Sequence, residues 1–145
     1  MPPIYRAPMR ARDRDDVPPY AGARFGVANG VVGIGDTPGE KGGRMLARFV
    51  DLPDGGFVWT RTDDEDYFLG CITGAYRRDL SAPHGIEHVR PARWVAVDAA
   101  HVPAAVKATF ARGGRNLQRT HDADAERVTA KLWAETTEAA PRRSG

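Results

Sequence analysis

The residues best suited to chemistry are aromatic rings interleaved with arginines. Phe25, Trp59, Tyr67, Phe68, Tyr76 and Trp94 fall among Arg61, Arg77, Arg78, Arg90 and Arg93. Flat rings stack on nucleobases, and guanidinium groups fork onto phosphates; the two together are the grammar of nucleic-acid reading modules. About half of these rings must fill the core of so small a protein. Trp94 and Phe68 are expected to do that, which leaves Trp59 and Tyr76 as walls of a pocket. The arginines Arg61, Arg77, Arg78, Arg90 and Arg93 are the candidates for holding a nucleic-acid backbone.

Residues for bond-making are not arranged to make bonds. His84, His88, His101 and His121 show no HExxH spacing and no cysteine pair to complete a zinc site, and His84 and His88, at one loop–strand junction, are expected to be ordinary surface histidines. Asp63, Asp64, Glu65 and Asp66 are consecutive, so they cannot all converge on one ion; they suit a solvated hairpin tip. No GxSxG elbow occurs, and neither Lys41, Lys107 nor Lys131 sits two residues after a strand acid as a nuclease centre requires. The glycines of RFGVANGVVGIG do not form a GxxxxGK[ST] loop. A binding module without catalytic residues, metal or cofactor is therefore expected. A lone Cys71 within a strand pattern reads as a buried, inert thiol.

Charge points to a polyanion. The net charge is only +2, but between positions 77 and 119 eight basic residues face Asp79, Glu87 and Asp98. Arginine-rich coding also arises from base composition alone, so this excess by itself does not choose. The 145 residues suit one domain, and 41% hydrophobic residues suit a soluble one. No run approaches the roughly 20 apolar residues of a membrane span. The N-terminus has no apolar leader segment, so the cytoplasm, in association with the nucleoid, is the expected location.

These side chains are positioned by three expected strands, at 57–62, 67–76 and 87–97. Gly70 and Gly74 suggest close backbone approach or bulges in a curved sheet. Asn29-Gly30 predicts a type I′ hairpin between two short strands within 24–35. Residues 36–43 read as a turn-rich loop, and 44–50 as a short apolar element of open type. A helix is expected from Pro103 to Arg112, ended by Gly113-Gly114; a strand at 116–120; and a helix from Ala123 to Thr137 capped by Asp122. Composition predicts a flexible arm over 1–20, a folded body over 21–139 and a frayed tail over 140–145.

Across residues 24–97, FGVANGVVGIGD, GGFVWTRTDDEDYFLGCITGAYRRD and HVRPARWVAV follow one another in an order that resembles the PUA-like superfamily. The pattern is most similar to EVE and YTH-type domains, including specificity domains of modification-dependent restriction systems. Within that group it resembles small stand-alone actinobacterial members, one of them a reader of 5-methylcytosine in DNA. The resemblance implies an α+β fold, a compact β-barrel flanked by helices, with an aromatic cage for a flipped modified base. It places Phe25, Asn29, Asp36, Trp59 and Tyr76 at that cage, Asn29 or Asp36 reading the base edge. Asp36 stands where many relatives carry Trp after GIG, so one cage wall must differ. The implied partner is modified double-stranded DNA, with a separate effector protein and no membrane. An RNA-binding module of the same fold, a nuclease or other enzyme, and a protein-interaction domain are the alternatives.

Overall fold

A computed structural model describes residues 3–10, 18–35, 39–82, 86–114 and 117–139, with side chains through 136. Strand β1 (Ile4–Arg6) is followed by α1 (Ala21–Asn29), β2 (Val31–Ile34) and α2 (Gly39–Asp51). Next come β3 (Phe57–Arg61), β4 (Tyr67–Ile72), β5 (Arg77–Arg78) and β6 (His88–Val97). After a 3-10 turn at Ala99–His101 come α3 (Ala104–Ala111), β7 (Gln118–Thr120) and α4 (Ala123–Ala139). The chain is α+β: seven strands curl into a half-barrel in the order β2-β6-β4-β3-β1-β7, with β5 also on β6.

Alternation along the strands sends side chains to two cores. Phe57, Trp59, Tyr67 and Leu69 meet Val106 and Phe110 of α3 and Ala125 of α4. Val58, Ile72 and Ala92 point the other way, toward Ala23 of α1 and Phe49 of α2. This period of two gives a sheet covered on both faces. Strand β6 is long enough to serve both halves of the curl. Its first residues pair with β2 and β5, and Ala92–Val97 pair with β4. Gly70 lies opposite Trp94, and a Cβ there would fall 2.6 Å from the indole; glycine is what lets the ring lie on the sheet.

Three expectations need correction. The 24–35 stretch is not a hairpin: Asn29 ends α1, and Gly30 at φ 67° returns its N–H to Gly26 O as a left-handed helix cap. Gly22 and Gly26 let α1 lie directly on the chain at Met9, whose carbonyl would be 2.0 Å from a Cβ at position 22. The flexible arm does not hold for residues 4–9: β1 pairs in parallel with β3, and Ile4, Ala7 and Met9 are buried. The glycine-rich 39–51 segment is one helix, anchored by buried Phe49. The first and third central strands, the two C-terminal helices and the Asp122 cap stand close to where expected, with Asp122 Oδ1 accepting from Ala125 N–H at 2.8 Å, but β4 ends at Ile72 instead of 76 and leaves Tyr76 in the connection to β5.

Candidate functional site

Trp59 is not a pocket wall. It is 1% exposed among Leu69, Val106 and Ala125, and its Nε1–H donates to Thr129 Oγ1 of α4 at 3.1 Å. A buried indole needs such an acceptor, and α4 supplies it. Tyr76 packs against the opposite core, so the two rings proposed for one cage lie on opposite faces of the sheet.

Tyr76 is half-buried and rests on His88, ring centroids 5.8 Å apart and planes 26° from parallel. The phenol oxygen and His88 Nδ1 share a hydrogen bond of 2.8 Å, its direction set by the His88 tautomer. His88 is only 4% exposed, which corrects its reading as a surface histidine. It sits where β6 is flanked on both sides, opposite Ile34 of β2 and Arg78 of β5. The signal that could have revealed it is the period of two in β6: His88 and Arg90 continue the series that puts Ala92 and Trp94 in the α1–α2 core.

Arg90, expected on a phosphate, is likewise buried, at 3% exposure, with its donors turned to partners within the chain. Its Nε donates to Gly74 O at 2.9 Å. Its Nη1 donates to the carbonyls of Phe49 and Leu52, where α2 runs out of internal donors. Its Nη2 meets Asp54 Oδ1 at 2.7 Å. A cation fits here because the carbonyl end of a helix carries partial negative charge. Gly74 O on Arg90 and the Tyr76 hydroxyl on His88 pin the segment that carries the half-buried ring.

The other arginines divide by face. Arg61 lies over the Phe110 ring at 5.3 Å and reaches Phe110 O at 3.4 Å. Arg93 lies over Trp133 at 5.9 Å. Both belong to the α3–α4 side. Arg77 and Arg78 are exposed on β5, next to Tyr76 in the chain. Arg77 leans on Asp79 at 4.0 Å and Arg78 on Glu87 at 3.5 Å, exposed contacts of the weak kind that a phosphate can displace.

Phe25 is half-buried against the same core as Tyr76. Asn29 is exposed, and its side-chain amide donates to Phe25 O at 2.8 Å, closing the end of α1. Asp36 lies outside the described residues. Trp94 packs partly buried on the α1–α2 core and donates to Val31 O at 2.9 Å, as a core ring should; Phe68 stays half-exposed. The acidic tip forms a turn in which Asp63 accepts from the N–H groups of Glu65 and Asp66 at 2.8 Å each. Those bonds hold the Asp63 carboxyl below the usual carboxylate range. Cys71 is half-buried instead of buried as expected, and partial burial still pushes its thiol up.

Two grooves formed by described residues lie at the other end of β6. One, of about 520 Å³, runs from Ala96–Asp98 to Leu132 and Glu135 of α4; the other, of about 400 Å³, runs from the same strand to Glu65–Phe68. Neither includes Phe25, Tyr76 or His88. No described helix is long and apolar enough to cross a membrane. No protein-family model matches the chain, and no curated protein matches it either.

Proposed function

We propose that this chain is a DNA-binding reader of a modified base, 5-methylcytosine, and that its curled half-barrel is a PUA-like domain of the EVE/YTH type. The observation that carries the reading is the Tyr76–His88 stack. One aromatic ring is half open to solvent, backed by a buried imidazole, and the next two residues are exposed arginines. The order of motifs across 24–97 supports the same assignment.

In this reading the target base swings out of the duplex at a cost of a few kcal/mol. It stacks on Tyr76, which returns about 1–3 kcal/mol. Phe25 borders the same core, and Asn29 and Asp36 belong to the segments that would meet the base edge. A carboxylate can accept from the exocyclic amine of cytosine. The methyl group adds about 0.8 kcal/mol of apolar burial, roughly a fourfold preference without further shape selection. Arg77 and Arg78 take the flanking phosphates. Two such contacts give a log–log salt slope of about −1.8.

The test is a gel shift with matched unmodified, 5-methylcytosine and N6-methyladenine duplexes and a matched RNA, each at two salt concentrations. The reading expects the 5-methylcytosine duplex to bind most tightly and more weakly at higher salt. Equal affinity for all four, or binding indifferent to salt, would contradict it.

A further inference from the structure

Leu80 stands 80% exposed, the most exposed large hydrophobic side chain among the described residues. A single apolar side chain in water is ordinary, and by itself it means nothing. Its mounting is what distinguishes it. The preceding Asp79 accepts from Ser81 N–H at 3.0 Å and from the Ser81 hydroxyl at 2.6 Å. Asp79 N–H donates to Glu87 O at 2.7 Å, and Ala82 N–H returns to Asp79 O at 3.3 Å. The turn is therefore fastened to Glu87, the residue that leads into β6, and Leu80 is held outward at its tip.

The turn directly continues β5. Arg78 pairs with His88, and Asp79 with Glu87 one step further on. On the other side of β6, Ile34 of β2 also pairs with His88. The end of β5, the start of β6 and the end of β2 thus share one rim of the curl. Leu80 marks that rim, two residues beyond the exposed arginines and four beyond Tyr76.

We propose that Leu80 is a wedge that enters the duplex and fills the space left by the extruded base. This rests on the reading of Tyr76 as the base-stacking ring. Extruding a base leaves a gap in the stack that water fills poorly. Leucine is one of the apolar side chains that proteins insert between base steps, and flanking cations hold the backbone against it. A fixed turn presents the side chain with little ordering left to lose.

The proposal separates duplex from single strand, because a single strand has no gap to fill. Leu80→Ala and the parent are titrated with a 5-methylcytosine duplex and with the methylated strand alone, at one salt concentration. An unchanged unfolding midpoint is expected, since the side chain is exposed. The variant should lose about tenfold on the duplex and less than about twofold on the single strand. A parent that binds the methylated duplex while Leu80→Ala binds it equally well overturns the wedge and leaves the base-reading assignment standing. Equal losses on duplex and single strand also overturn the wedge. A parent that binds neither probe overturns both.

Discussion

The two faces of the sheet use the same residue types for different ends. On the α3–α4 face the strand aromatics Phe57, Trp59 and Tyr67 are buried, and the Trp59 N–H is taken by Thr129. On the α1–α2 face Tyr76, Phe25 and Trp94 cover the core only in part. Each face also buries an arginine that closes a helix. Arg6 donates to Thr109 O of α3 at 3.0 Å, and Arg90 donates to Phe49 O of α2 at 3.2 Å. Buried guanidinium groups therefore do not tell the faces apart. The α3–α4 side also has a partly buried ring under an exposed arginine, Trp133 under Arg93; what is particular to the α1–α2 side is a ring, Tyr76, directly followed by the exposed arginines of β5. A stretch of sequence in which aromatics and arginines alternate carries both kinds, because neighbouring strand residues point to opposite faces.

The comparison can be broken most forcefully at Trp59. Trp59→Ala should cost about 3–5 kcal/mol of stability in denaturant unfolding, because it empties a sealed core and strands the Thr129 hydroxyl. A loss below about 1 kcal/mol would mean that the α3–α4 face is not closed. Next comes Arg90→Gln, which should cost about 3 kcal/mol by leaving helix-end carbonyls without their donor. The folded fraction of that variant should keep the parent's salt slope in DNA titrations; a flatter slope would return Arg90 to the phosphates.

Arg77→Gln and Arg78→Gln should do the reverse. Stability should change by less than about 0.5 kcal/mol, while each substitution flattens the salt slope by about 1. An unchanged slope in both would remove β5 from the interface. The smallest effect concerns the Leu80 turn. The Ser81 hydroxyl, then the Ser81 N–H, hold the Asp79 carboxyl below the usual carboxylate range. A depressed folded value stabilises above the ordinary carboxylate range, and the benefit is lost as pH falls through the folded value. The small stability deficit of Ser81→Ala should therefore be present at neutral pH and vanish in strong acid. A deficit that ignores pH would show that the carboxylate is not what holds the turn.

Much of the fold was legible. The strands at 57–61, 67–72 and 88–97 announce themselves through β-branched and aromatic residues, and α4 through Asp122. What escaped did so for physical reasons. Asn-Gly serves a hairpin and a helix stop equally well, and α1 was hidden because its glycines contact the Met9 segment instead of forming an apolar stripe. Strand β1 is three residues in a Pro- and Arg-rich setting, and only its place between β3 and β7 gives it meaning. Tyr76 is conspicuous in the sequence for its ring beside two arginines, but its stacking on His88 is visible only in the fold. His88 and Arg90 look exposed in the sequence because polar residues are usually outside, although their spacing to Ala92 and Trp94 puts them on the inward face. The burial of Trp59 is not legible locally, because no nearby signal shows that Thr129, 70 positions away, accepts its N–H.

The most direct test compares Tyr76→Ala and Trp59→Phe for affinity toward a 5-methylcytosine duplex at fixed salt, with unfolding curves to establish the folded fraction. Tyr76→Ala should lose about tenfold or more in affinity, from the lost stacking. Folded Trp59→Phe should bind within about twofold of the parent. Parental affinity in Tyr76→Ala would contradict the account, and so would a large loss confined to Trp59→Phe.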